Sequence, residues 1–439
     1  MIDGRRKLDG SKQGGPGVYI QFAGEGASVR PGARGTAAMA LPLDWGEPKR
    51  VMAVRAGDRL KDKLGYDLSA PQLLLVREAL KRAGTLLLYR LNTGTRASAT
   101  LGDLTVTARY GGVRGNDISI VVQTNVDNPA LFDVMTVVDG ETVDTQTVGD
   151  AGELTGNAWV EFAGTGPLTV TAGVPLAGGS NGEVTAGDHS DFLAALELHE
   201  FHTVALPSND TSLKALYTAF VKRLRDDEGK KVQAVLAQYP IADHEGIISV
   251  GNGVVLDDGT ALDAAQATAW VAGATAAASF TQSLTYQAYD GAVDANPRLT
   301  HAQIEQALLA GEFVFSVSGD RAVVEQDINS LTGFGPDKPR AFAKNRVMRV
   351  LDTIATDVKR TFEAHFIGKV DNNADGRNLF RQACIGFLEK LQDAGAIQNF
   401  DAQNDVAVLP GDDVDSIVVL VGVQPVDAVE KIYMKVTVR

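Results

Sequence analysis

The sequence predicts a multidomain protein of α/β and α+β class. A parallel-type α/β core carries an inserted all-β sandwich and a C-terminal α+β domain, with extended strand arms at both termini. Three observations predict this. Strand and helix patterns alternate from Thr36 to Leu91 and again from Thr185 onward, as around a largely parallel sheet. Between them, from Asn92 to about Asn181, the chain turns rich in Thr, Val, Gly and Asp and loses helical period. Both ends hold short alternating segments: G-V-Y-I-Q-F from Gly17 and K-I-Y-M-K-V-T-V-R from Lys431.

Bulk properties bound the function. A chain of 439 residues suffices for several cores. Its net charge of −14, from 41 basic and 55 acidic side chains, argues against sequence-independent nucleic-acid binding and against docking on anionic lipid. A lone cysteine, Cys384, excludes an intrachain disulfide and predicts a reducing compartment. The N-terminus shows no signal-peptide pattern, so synthesis in the cytoplasm is expected. Trp270 to Phe280 is too short and too rich in Ala, Thr and Gly for a membrane span; it reads as a helix packing closely on a neighbour.

Residues 1–35 form the N-terminal arm. Val18, Ile20 and Phe22 share one face, with Tyr19 opposite, between glycine-rich stretches. The segment is either an edge strand of its own domain or a strand lent to another copy. Residues 36–91 read as a small α/β unit, with a helix from Pro71 to Ala83 capped by Asp67 or Ser69 and the buried strand T-L-L-L-Y-R-L. Residues 92–182 are the sandwich, in which V-D-G-E-T signals a hairpin. Residues 183–336 form the α/β core, including an Ala-rich helix capped by Asp263. Residues 337–430 are the C-terminal domain: helices from Pro339 to Phe366 and from Arg377 to Ala394, then the strands V-A-V-L and S-I-V-V-L-V-G-V, the latter apolar throughout and read as central. Residues 431–439 are the terminal strand. Ile432, Met434, Val436 and Val438 face one way and Tyr433 the other, and a terminal strand must pair somewhere, within its own domain or beyond it.

Local motifs for chemistry fall short of function. Asp371, Asn373, Asp375 and Gly376 imitate the start of an EF-hand, but its ninth and twelfth positions are Leu379 and Gln382. His199 and His202 are spaced three apart rather than four, so they miss the zincin pattern. Asp243-His244-Glu245 has no third ligand nearby in sequence, and no nucleophile elbow, P-loop or dinucleotide fingerprint occurs. Cys384 sits among apolar residues of its helix and reads as a small buried thiol. No catalytic residue, cofactor or metal is assigned.

Three long phrases then stand out: F-I-G-K-V-D-N-N-A-D-G-R from Phe366, A-G-A-I-Q-N-F from Ala394 and V-Q-P-V-D-A-V-E-K-I-Y-M from Val423. Together they resemble the C-terminal part of contractile-tail sheath proteins of myophages, tailocins and defective prophages. M-A-L-P-L-D-W-G-E-P, A-R-Y-G-G-V-R-G-N-D-I and P-L-A-G-G-S-N-G extend the resemblance over nearly the whole chain. The resemblance implies a structural subunit of a virion tail, not an enzyme. Its terminal arms (Val18, Tyr19, Ile20 and Phe22; Ile432, Tyr433, Met434, Val436 and Val438) would add strands to a sheet in neighbouring copies, a receiving sheet that includes Ile417, Val419 and Val421. Inner tube, baseplate and tail terminator proteins are the implied partners. The family's tube contact lies in the C-terminal domain, where the helix carrying Lys344, Arg346, Arg349, Lys359 and Arg360 is the candidate. Two other classes stay open on composition alone: a β-sandwich receptor-binding protein, and an α/β enzyme with an inserted β-domain.

Overall fold

The computed structural model describes residues 34–437. The chain enters the core through β1 (Thr36–Leu41) and β2 (Val51–Val54), then α1 (Lys61–Leu64), α2 (Leu74–Leu80) and β3 (Thr85–Arg90). The sandwich follows as β4 (Ser98–Leu101), β5 (Leu104–Ala108), β6 (Ile118–Thr124), β7 (Phe132–Val138), β8 (Glu141–Val148), β9 (Val160–Ala163) and β10 (Thr171–Pro175). The core resumes with α3 (Ala186–Glu197), β11 (Thr203–Leu206), α4 (Thr211–Lys222), β12 (Gln233–Ala237), β13 (Ile247–Val250), β14 (Gly253–Leu256), β15 (Ala261–Leu262), α5 (Ala264–Ala277), β16 (Ala292–Asn296), α6 (His301–Leu309), β17 (Glu312–Phe313), β18 (Phe315–Ser318) and β19 (Arg321–Val324). The C-terminal domain is α7 (Asn345–His365), α8 (Ala374–Asp393), β20 (Ile397–Gln398), β21 (Val406–Pro410), β22 (Ile417–Val421) and β23 (Gln424–Pro425).

A seven-stranded sheet in the order β17-β13-β12-β11-β1-β3-β2 organises the core. Its neighbours run parallel except β2, which is antiparallel to β3 at one edge. Segment 36–91 is therefore no unit of its own, as the sequence had suggested. Its strand T-A-A-M-A-L pairs with β11 on one side and β3 on the other, and so joins the sheet that the later residues complete. Alternation along β1 serves two layers: Ala37, Met39 and Leu41 face α2 and α5, while Ala38 and Ala40 face α3 and α4. The small side chains let α5 lie close. A Cβ added at Gly273 would stand 2.3 Å from the Ala79 carbonyl oxygen, so only glycine fits where α5 crosses α2. Asp263 caps α5, accepting from the Gln266 N–H at 2.8 Å. The helix near Pro71 differs from expectation: Pro71–Leu73 is a 3-10 turn with no side-chain cap, and the α-helix begins at Leu74. Proline at the first position presets that turn without help from Asp67 or Ser69.

The sandwich packs the sheet β10-β6-β7-β8 on the sheet β4-β5-β9. Asp139 and Gly140 take φ of 54° and 78° in the hairpin turn between β7 and β8, the pair of left-handed residues that matches strand twist. Trp45 from the core loop stacks on Trp159 of the sandwich at 5.2 Å and is fully buried. Arg90 donates to the carbonyls of Gly46 and Gly111, and Asn92 to those of Leu43 and Asn181, so polar bonds fasten both strands of the domain crossing.

The first half of α7 is sunk into the core. Arg349 meets Asp327 at 2.6 Å with both side chains 1% exposed. Arg225 makes a two-pronged bond to Asp352, each contact 2.9 Å. Val350 and Ile354 of α7, with Val358 and Phe362 further along it, join Phe380, Phe387 and Leu388 of α8 in a separate apolar cluster. One helix thus belongs to both domains.

Candidate assembly interface

Strands β21 and β22 form an antiparallel ribbon in register from Val406↔Val421 to Pro410↔Ile417. Ile417, Val419 and Val421 pack toward the α8 cluster that includes Phe380 and Cys384. The intervening Val418 and Leu420 are 44% and 54% exposed. Apolar residues on both faces had predicted a central strand. The structure instead pairs β22 with β21 alone among the described residues, leaving the outer edge of each without a ladder. The strand is apolar on two faces, yet the described residues cover only one. Asn372 fixes the ribbon's turn, donating to the carbonyls of Val414 and Ser416 at 2.9 Å each. Asn373 caps α8 by accepting from the Gly376 N–H, so the EF-hand-like phrase serves a helix start.

After β23 pairs with β20, the Val426 N–H donates to the Ala396 carbonyl. The chain then crosses to the core, where the Glu430 carboxylate accepts from Thr285 Oγ1 at 2.8 Å and Gln326 Nε2 at 2.6 Å and pairs with Lys344. Burial alone raises the Glu430 pKa, but the bonds from Lys344, Gln326 and Thr285 outweigh it and hold the carboxyl below its ordinary value. Beyond Glu430 the chain forms no strand through residue 437. The half-buried strand expected from Lys431 onward is thus not formed within this chain. Ile432, Tyr433, Met434 and Val436 stand 81%, 90%, 80% and 76% exposed, because nothing among the described residues offers their apolar face a partner. Val438 and the N-terminal Val18, Tyr19, Ile20 and Phe22 lie outside the described residues.

The basic residues of the long helix divide. Arg349 is buried against Asp327, and Lys344 is tied to Glu430, so neither stands as a free surface charge. Arg346 is half-buried, with its Nε enclosed. Lys359 and Arg360 are exposed, Arg360 pairing with Asp357 one turn earlier. Helical spacing alone did not reveal that the first turns of α7 are covered by the core.

The remaining polar clusters resolve into structural bonds. At the carboxyl ends of the sheet strands, where an α/β enzyme would place its chemistry, a hollow of about 430 Å³ is lined by Pro42, Leu91, Val184 and Pro207. His189 beside it is buried and bonded to Tyr217 Oη at 3.0 Å. Asp226, distant in sequence, joins His244 and Glu245 in a cluster that local spacing could not show. There the Gly246 N–H donates to His244 Nδ1 at 3.0 Å, which puts the neutral ring's proton on Nε2, facing Asp226 at 3.2 Å. Lys338 pairs with Glu245 at 2.8 Å. Burial pushes the Cys384 thiol up to about 11, far from a reactive thiolate.

His202 lies where β1 begins, its Nδ1 accepting from the Thr36 N–H at 3.3 Å. Burial, with the Arg34 cation nearby, pushes its imidazole down to about 4. The unfolded chain then takes up a proton below about pH 6.5 that the folded chain refuses until about pH 4. Stability attributable to this residue is intact at pH 7 and falls with acidification across that window, by at most about 1.4 kcal/mol per pH unit. Thermal melts of His202→Gln at pH 7 and pH 5 are expected to show a smaller acid loss than the parent.

A ribbon with two edges open among the described residues and an exposed alternating tail define a class: a multidomain subunit with surfaces available for assembly. Phage tail sheath models match in succession, with the domain III N-terminal region at residues 34–91, the β-sandwich domain at 92–181, the central domain at 182–330 and the C-terminal domain at 337–439. A sheath tail protein of Desulfitobacterium hafniense is 57% identical, with 96% of this chain and 99% of that one covered at a TM-score of 0.88. A sheath tail protein of Listeria innocua is 41% identical over 92% and 95% of the two chains, with a TM-score of 0.80. The phage-like element PBSX protein XkdK of Bacillus subtilis is 42% identical over the full length of both. This chain belongs to the phage tail sheath protein family, whose members are structural parts of contractile tails. The subunit of the anti-feeding prophage helical sheath in its contracted state shares the fold at 16% identity and a TM-score of 0.57.

Proposed function

We propose that this chain polymerises into a helical sheath around an inner tube by exchanging terminal β-strands, and that the sheath contracts to drive the tube through a bacterial cell envelope. One observation carries the reading: among the described residues the same chain holds a two-stranded ribbon with free edges and a tail of strand periodicity that pairs with none of them. A neighbour's tail laid along β21 or β22 satisfies both at once. Ile432, Met434, Val436 and Val438 then continue the face made by Ile417, Val419 and Val421. The N-terminal residues Val18, Tyr19, Ile20 and Phe22 supply the second strand. Such joints hold copies together while their bodies rotate and repack, a rigid-body transition at interfaces. Energy stored at assembly drives it, with no nucleotide or cofactor.

Inner tube, baseplate and tail terminator proteins are the partners in this reading, with Lys359 and Arg360 the remaining candidates on α7 for the tube. Neither nucleic acid nor membrane is bound, and synthesis is in the host cytoplasm. The apolar and proline-rich lining at the strands' carboxyl ends favours this over an enzyme. Negative-stain electron microscopy of the purified protein, alone and with its cognate tube protein, tests the proposal. Striated tubes in either preparation are expected; single particles in both would overturn it.

A further inference from the structure

Beyond Val426, Glu430 alone among the described residues joins the tail to the body by hydrogen bond or ion pair. Its three partners come from three separate stretches: Thr285 after α5, Gln326 just past β19, and Lys344 at the start of α7. Its side chain is only 10% exposed, whereas the adjacent Val429 is 86% exposed. Holding a carboxylate in place with three donors, on a segment otherwise uncommitted, is a costly arrangement that a passive linker does not need.

We propose that Glu430 is a positioning residue for assembly, pinning the root of the C-terminal arm so that it leaves the body from one fixed point. The inference rests on the strand-exchange reading above. Reach gives it content. From Glu430 the residues 431–439 span at most about 30 Å fully extended. If about six of them pair, roughly 20 Å is used and the free leash is about 10 Å. The receiving ribbon must therefore dock within about 10 Å of its neighbour's Glu430. Without the pin the arm hangs from Val426, and the leash lengthens by residues 427–430, about 14 Å more. A longer leash dilutes the arm at its target and admits a wider range of subunit spacings.

The full chain, assembled with its tube protein and followed by sedimentation and cryo-electron microscopy, tests this. Glu430→Ala is expected to keep the parent melting temperature, to raise the threshold concentration for assembly about tenfold, and to broaden the axial repeat. The exchange K344E/E430K, which restores the ion pair with reversed sign, is expected to recover both. Glu430→Ala sheaths with the parent threshold and repeat overturn the proposal, as does a folded exchange variant no better than Glu430→Ala. If Glu430→Ala melts lower, the folded exchange variant decides. A chain ending at Glu430 separates this from the underlying reading: normal sheaths from it remove strand exchange itself, whereas its failure beside a normal Glu430→Ala removes only the pin.

Discussion

A chain ending at Glu430 is expected to purify as a folded body with the parent circular dichroism and melting temperature, and to form no sheath at any accessible concentration. The folded part of the claim follows from exposure. Ile432, Tyr433, Met434 and Val436 are at least 76% exposed, so their removal takes no buried surface from the chain's own cores. The loss of assembly follows from what the tail offers elsewhere. About six backbone bonds at ~1 kcal/mol each, with three or four apolar side chains at ~2 kcal/mol each, would be gained on pairing. Ordering six residues costs ~1–2 kcal/mol apiece, so one joint is worth only a few kcal/mol net. A helical array multiplies that margin through many simultaneous joints, and removing the strand removes it from every subunit together. Supplying the missing segment as a free peptide is expected to occupy the ribbon without restoring tubes, since it links nothing. Normal striated tubes from the truncated chain would show that the bodies hold the lattice unaided.

Much of the chain's organisation was legible because local pattern and tertiary role agreed. The buried strand T-L-L-L-Y-R-L, the V-D-G-E turn and the Asp263 cap each follow from a few neighbouring residues. What was misread required knowing who stands opposite. I-V-V-L-V has apolar residues on both faces, which in an isolated chain means a central strand. Among the described residues the second face stays largely exposed and neither ribbon edge gains a ladder, and sequence cannot separate a partner in the same molecule from one in another. The basic residues of α7 failed for a related reason. Arg349 and Arg360 look alike in a helical repeat, yet one is buried, bonded to Asp327 and the Gln282 carbonyl, and the other stands at the surface. Likewise the division at Leu91 followed the composition change, whereas strand pairing reaches across the inserted sandwich to unite β1 with β11. The terminal segment shows the same limit in its sharpest form: its alternation suggested a half-buried strand, yet residues 431–437 form none and find no ladder partner among the described residues.

Arg349→Ala is expected to be among the most destabilising single changes in the body, by about 3–5 kcal/mol. Asp327 is 1% exposed and placed to receive three donors: Arg349 Nη2 at 2.6 Å, the Leu284 N–H at 3.0 Å and Asn345 Nδ2 at 3.0 Å. Removing the guanidinium leaves a carboxylate in a low-dielectric site with two neutral donors and a cavity where the cation lay. The damage is not confined to one domain. Asp327 follows β19 of the core, whereas Arg349 lies on the helix that begins the C-terminal domain, and Asp352, three residues further along that helix, pairs with Arg225 of the core. The partner substitution Asp327→Asn, which removes the negative charge but keeps the shape, is expected to cost less by itself and to recover part of the loss when combined with Arg349→Met. A double-mutant cycle read by chemical denaturation measures the coupling directly. Coupling near zero would mean that the enclosed pair contributes nothing beyond packing. A coupling of a few kcal/mol, with the C-terminal domain loosening first by hydrogen exchange, would place the rigid joint between core and ribbon at these two residues, so that turning the body turns the ribbon with it.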